Sequence, residues 1–231
     1  HCSGDWLFYL QADEVVHEDD LPAIQKRCEE LVDDHEVEGL LFKYRHFWGD
    51  YDHIHDSHTF YKREIRIVRN DPEIHSWKSA QSFRRIPDFD GRSYRQKAGT
   101  HKLKVATVEA YINHYGWARP PDLMQRKRKA LDTIHHGETA IQQRYAEAPK
   151  VFDYGAMRLA RKYTGNHPAV MQDWIAAFDW ADQLNYAEDA PLNPAKHKHE
   201  RLKYRVLTWI EQTFLGGRQL FSTGNWVLLK R

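Results

Sequence analysis

The chain has 231 residues, 41% of them hydrophobic, enough to build a core in one large domain or two small ones. Lys and Arg number 34 against 33 Asp and Glu; this net charge of +1 gives no long-range field for nucleic acid, and no run approaches the roughly 18 apolar residues of a membrane span. Two cysteines, Cys2 and Cys28, exclude a disulfide framework or a cysteine-rich zinc site and suit a reducing, cytoplasmic compartment.

Trp6 to Leu10 is a short apolar run that predicts a fully buried strand, with Asp13 and Glu14 emerging at its carboxyl end, where open α/β sheets bind ligands. Hard divalent cations take oxygen ligands, so the acidic pair is a candidate metal site; capping of the next helix is the alternative. That helix is expected to start at Glu18 to Pro22, with Asp20 as N-cap and Ile24, Cys28, Leu31 and Val32 facing the sheet. Leu40 to Trp48 and Tyr61 to Val68 read as strands. Between them, Asp50 to His58 carries three histidines and three aspartates in nine residues and reads as a long loop.

Ile74 to Arg84 carries Trp77, Gln81 and Arg84, and Asp90-Gly91 is a turn signal that predicts a hairpin. Val105 to Tyr111 is strand-like and leads into His114-Tyr115-Gly116-Trp117, so that His114 is expected just past a strand end. From Pro120-Pro121-Asp122 onward the spacing is helical, through about Ala148, then Pro168 to Trp180 and His199 to Leu215. Gly216-Gly217 stops the last helix, and Trp226 to Leu229 can return as a strand. The expected division is residues 1–119, an α/β part, and 120–231, a mainly helical extension.

The opening strand with Gln11-Ala12-Asp13-Glu14, the Trp77 patch and His114 to Pro121 together resemble bacterial family 2 glycosyltransferases of the A-type fold, and the resemblance covers most of the chain. Gly4-Asp5-Trp6 through Glu14 match the family's acidic strand closely. The resemblance implies a mixed α/β fold and a metal-dependent enzyme that moves a sugar from a nucleotide-sugar donor to a hydroxyl acceptor. Such relatives usually build bacterial surface polysaccharides. It gives Asp13 the role of holding Mn²⁺ or Mg²⁺ against the donor diphosphate, His114 that of a second ligand, and Glu14 that of a supporting group. Trp77 and Gln81 are candidates for sugar or acceptor contact, and Arg84 and Arg66 for phosphate contact. Glu73, His75, Asp88 and Asp90 lie where an acceptor-activating base is needed, and no spacing singles one out. Gln11 stands where many relatives have a further aspartate, which implies fewer carboxylates and more water on the metal. The family places nucleotide-binding strands ahead of the acidic strand. The resemblance therefore implies the carboxyl part of such an enzyme, or a shortened relative that cannot bind a donor unaided.

Two other classes fit parts of the chain. One is a non-catalytic binding or scaffold protein on a truncated glycosyltransferase fold, docking through its helical half. Met124, Leu131 and Ile134 recur at near-helical spacing beside the basic run Arg126 to Lys129, which would also suit a lipid-linked acceptor and peripheral contact with the inner face of a membrane. The other is a metal-dependent hydrolase built on His53, His55 and His58 with Asp52 and Asp56.

Overall fold

The computed structural model describes residues 2–78, 81–92, 94–221 and 224–231. The chain is mixed α/β, with a curled mixed sheet and five α-helices among these residues. In chain order the elements are β1 (Trp6–Phe8), β2 (Glu14–Val16), α1 (Leu21–Glu30), β3 (Gly39–Trp48), β4 (His53–Ile54), β5 (Arg63–Arg69), β6 (Ile74–Trp77), β7 (Ser82–Arg85) and β8 (His101–Trp117). Then follow α2 (Pro121–His136), α3 (Glu138–Ala146), β9 (Arg161–Lys162), α4 (Gln172–Ala176), α5 (Leu202–Phe214) and β10 (Trp226–Leu228). The strands run β1-β5-β3-β8-β7-β6, with β10 and β2 also pairing with β8, and β4 linking β3 to β9.

Two compact units share the chain: residues 1–45, 61–113 and 218–231 form one, and 46–60 with 114–217 the other. Segment 46–60 thus groups with the carboxyl half, and 218–231 with the amino half.

In the first unit the period-2 alternation of strands sorts apolar residues onto two buried faces. Leu40, Phe42, Ile67, Ala106, Val108, Ala110 and Ile112 pack under Ile24 of α1 and Leu31 just past its end, with Cys28 against them. Leu41, Ile65, Phe83, Leu103 and Val105 form the opposite core. Burial on both sides is why β3 reads as a nearly continuous apolar run. A register shift between Leu40 and Leu41 accommodates a local irregularity against β5. Gly39 is required beside it, because a Cβ there would sit 2.8 Å from the Ile67 carbonyl oxygen.

The opening strand is not the fully buried strand expected. β1 is an edge strand, antiparallel to β5, and Phe8, Tyr9 and Leu10 are exposed. The helix after it starts as predicted, but Asp20 makes no side-chain cap; its carboxylate accepts the Tyr111 backbone N–H at 3.0 Å instead. β6 and β7 pair antiparallel from Ile74↔Arg85 to Trp77↔Ser82, and Asp90-Gly91 lies in the longer connection between β7 and β8, which also pair antiparallel. Asp50 to His58 contains the short strand β4.

The second unit is held by aromatic packing rather than by regular structure. Trp48 lies edge-on to His55, Phe60, Tyr154 and His199, and its indole N–H donates to the Tyr154 carbonyl at 3.1 Å. Trp180 donates to the Gly49 carbonyl at 2.8 Å. The predicted helical carboxyl half is not evident: Gly137 separates α2 from α3, the stretch predicted helical from Pro168 to Trp180 keeps only the five residues of α4, and much of 147–201 is irregular. Helical spacing of apolar residues there serves turns and single 3₁₀ turns that hang on the aromatic core. The last predicted helix forms as α5, followed by Gly216 and Gly217 at positive φ, and β10 pairs in parallel with β8.

Candidate functional site

The acidic turn after β1 is built around Glu14. Its backbone N–H donates to the Gln11 carbonyl at 3.0 Å, and its carboxylate accepts the Gln11 N–H at 3.1 Å, closing residues 11–14 into one turn. Arg66 of β5 grips the same carboxylate with two parallel bonds, Nε to Oε2 at 2.8 Å and Nη2 to Oε1 at 2.7 Å, and the Tyr44 hydroxyl donates to Oε1 at 2.8 Å. Glu14 and Arg66 are both buried. Burial opposes the Arg66 charge, but the bonds to Glu14 and the neighbouring negative groups outweigh it and hold the guanidinium pKa above its ordinary value. Burial pushes the Tyr44 and Tyr61 hydroxyls up, and Asp13 lies close enough for its charge to add to the effect on Tyr61.

Glu14 is therefore a structural anchor whose oxygens are taken by its own chain, and Asp13 lies half-buried beside it in the same turn. A single carboxylate on a rigid turn matches the needs of Mg²⁺ or Mn²⁺ held mainly by substrate phosphates and water. Among the described residues no group of three His, Cys, Asp or Glu side chains is placed to form a protein-only metal shell.

The substrate candidates of the first unit are brought together in pairs. Arg66 also donates to the Gln81 carbonyl, at 3.4 Å, so its charge is spent inside the protein and not offered to phosphate. Trp77 is buried, donates to the Gln96 carbonyl at 2.9 Å, and has the Arg84 guanidinium 4.9 Å over its ring. The sequence missed Glu64, two residues before Arg66 on β5. Its carboxyl is buried near Ser82 and Arg66, and burial pushes its pKa up to about 7, with the Arg66 charge opposing. Among the described residues, Glu64 Oε2, Ser82 Oγ and Arg84 Nε have no hydrogen-bond partner. Of the base candidates, Glu73 is bound by Arg85 at 2.7 Å and His75 stacks near Phe89. Asp88 has a positive φ of 56°, and the Asp90 carboxylate accepts the Arg92 N–H at 2.8 Å.

His114 belongs to the second unit and lies inside β8, not past its end. Its Nδ1 is 3.1 Å from Nδ1 of His46, and both rings are buried. Two facing nitrogens need one donor and one acceptor, so at least one ring is neutral, and any coordination by His114 runs through Nε2. The histidine-rich loop does not converge on one point. His53 pairs with Asp50 at 2.8 Å, His58 with Glu211 at 2.6 Å, and Asp56 with Arg161 at 2.8 Å, while His55 stacks on Phe60.

The second unit also holds a cavity of about 400 Å³ floored by His55 and His199 and walled by α5, including Thr208, Trp209 and Gln212. Burial, and the nearby His197, push the His199 pKa down to about 4, so this imidazole is uncharged at neutral pH. Its lining residues are spread from His55 to Gln212, so no local spacing in the sequence signals it. Compared with protein-family models, curated proteins and solved structures, the chain matches none.

Proposed function

We propose that the chain is part of a metal-dependent glycosyltransferase with an A-type mixed sheet, transferring a sugar from a nucleotide-sugar donor to a saccharide or lipid-linked acceptor at the cytoplasmic side of a membrane. The observation that carries this reading is the preorganised turn of residues 11–14. Arg66 and Tyr44 consume the Glu14 carboxylate, and that fixes the backbone that presents Asp13. A fixed carboxylate loses little entropy when it meets a cation, and this favours binding over a mobile acidic loop.

In this reading Asp13 is the carboxylate ligand of Mn²⁺ or Mg²⁺, and a ligand role for His114 rests on the resemblance alone. When bound, the cation neutralises charge on the departing diphosphate. Glu14, Arg66 and Tyr44 keep the turn in place. Glu64, with its pKa near neutrality, has the protonation behaviour wanted of an acceptor base, a role the sequence leaves unassigned. No helix among the described residues is long and apolar enough to cross a membrane.

Calorimetric titration of the chain with UDP and with GDP, each with and without Mn²⁺, tests the reading. Metal-dependent binding that is lost in Asp13→Ala and weakened in His114→Ala is expected. No binding by the folded chain, or binding indifferent to both variants, would overturn it.

A further inference from the structure

Helix α5 carries an exposed apolar stripe that borders the open cavity above His55 and His199. At 100° per residue, Leu202, Val206 and Trp209 fall within one narrow arc, and they are 72%, 45% and 59% exposed. The opposite face carries Tyr204, Thr208 and Glu211. It is anchored by the Glu211–His58 bond and by the Thr208 hydroxyl, which accepts the His58 backbone N–H at 2.9 Å. The exposed stripe is therefore not a core face that has slipped. The core-facing side of α5 is already used, and the stripe is additional apolar surface of a kind that marks an interaction site.

The charges around the stripe have one sign. Lys203 and Arg205 flank it on either side, Lys198 and Arg201 lie just before it, and all four are exposed. The only acids between residues 198 and 215 are Glu200 and Glu211, which are 1% and 0% exposed and bound to the chain's own groups. His199 is neutral. Arg201 donates through Nε to the Pro194 carbonyl at 2.9 Å, and the Lys198 and Lys203 ammonium groups lie 5.1 and 5.8 Å over the Tyr204 ring, which leaves all four cations exposed; in the basic run of α2, Arg126 pairs with Asp122 at 3.1 Å and Lys127 donates to the Gly116 carbonyl at 2.9 Å.

We propose that α5 is an interfacial helix that docks this protein onto an anionic phospholipid surface, with Leu202, Val206 and Trp209 entering the headgroup boundary and Lys198, Arg201, Lys203 and Arg205 meeting lipid phosphates. An apolar stripe with an indole, edged by cations and free of exposed acid, is complementary to such a surface in both polarity and charge. A second protein would need acidic groups spaced to match four separate cations, whereas a fluid anionic bilayer supplies them anywhere. The proposal stands whether or not the chain transfers a sugar.

Co-sedimentation of the full chain with vesicles of phosphatidylcholine, and of phosphatidylcholine mixed with phosphatidylglycerol, is the test. Binding to the mixed vesicles is expected, weakened by salt and by about twentyfold in Lys203→Gln/Arg205→Gln, since each cation near the surface contributes roughly a fivefold factor. Val206→Ser/Trp209→Ser removes binding at low salt as well. These positions are exposed, and an unchanged circular dichroism spectrum shows that each variant is folded. Absence of binding, equal binding by all variants, or a dimer dissolved by Val206→Ser/Trp209→Ser without vesicle binding would each overturn the proposal.

Discussion

Arg66 closes on Glu14 across 52 residues of sequence, its guanidinium meeting both carboxylate oxygens at 2.7 and 2.8 Å with neither side chain reached by solvent beyond 1%. A buried pair of this kind is costly to break from one side, because the remaining charge stays in a low-dielectric setting without its partner.

Arg66→Met is therefore expected to destabilise the fold by about 3 to 5 kcal/mol, and Glu14→Gln/Arg66→Met by less than the sum of the two single changes. Urea unfolding of the wild type, both single variants and the double variant gives the coupling. Additive losses would mean that the two groups act independently.

Glu64 gives the first unit a pH signature. Its carboxyl keeps its proton up to about 7 in the fold, against an ordinary 4.5. Between those values the folded state holds more protons than the unfolded one, so this group's contribution falls as pH rises through that window. Glu64→Gln, which stays neutral, is expected to flatten that fall and to raise stability at pH 8 by about 2 to 3 kcal/mol. Unfolding midpoints of both proteins at pH 4.5 and pH 8 measure it; an equal midpoint at pH 8 would contradict the buried assignment.

His199 acts in the opposite direction. With its folded pKa lowered to about 4 by burial, the unfolded chain binds the extra proton between there and 6.5. The stabilisation is complete above 6.5 and is lost as pH falls towards 4. His199→Gln is expected to remove up to about 3 kcal/mol of acid sensitivity in that window. Thermal melts at pH 4.5 and pH 7 report the difference, and an unaltered slope would show that His199 titrates normally.

Gly39→Ala is expected to cost about 1 to 3 kcal/mol, because the new methyl meets the Ile67 carbonyl oxygen on the paired strand and one of the two strands must shift. Gly91→Ala is the control: unlike Gly39 it has no neighbour within 4 Å of the added Cβ, and its cost comes only from the positive φ of 75°. Denaturant midpoints that rank the two the other way round would refute the packing argument.

Much of the first unit was legible because its signals are local. β3 showed as an apolar run since both its faces are covered, α1 showed by the spacing of Ile24, Cys28 and Leu31, and β10 by its short apolar segment. β1 was misjudged because Trp6 to Leu10 has the same composition whether a strand is central or at an edge; only its single neighbour, β5, distinguishes the two. Asp90-Gly91 marks the reversal between the antiparallel strands β7 and β8, but a turn dipeptide does not state how long the connection is. The acidic turn could be read in the sequence, but the fate of its two carboxylates could not. That Glu14 is held by Arg66 and Tyr44 depends on where the sheet places those two residues. The clamp of His58 on Glu211, 153 residues apart, is hidden in the same way.

The central claim is that Arg66 and Tyr44 fix the turn so that Asp13, not Glu14, meets the cation. Mn²⁺ titration in the presence of UDP, read by the electron paramagnetic resonance of free Mn²⁺, addresses it in the wild type, Asp13→Asn and Glu14→Gln. The account predicts that Asp13→Asn, still folded, loses Mn²⁺ uptake at least tenfold. It also predicts that Glu14→Gln keeps part of it, at temperatures where that variant is folded. Full uptake by Asp13→Asn together with loss in folded Glu14→Gln would contradict the account.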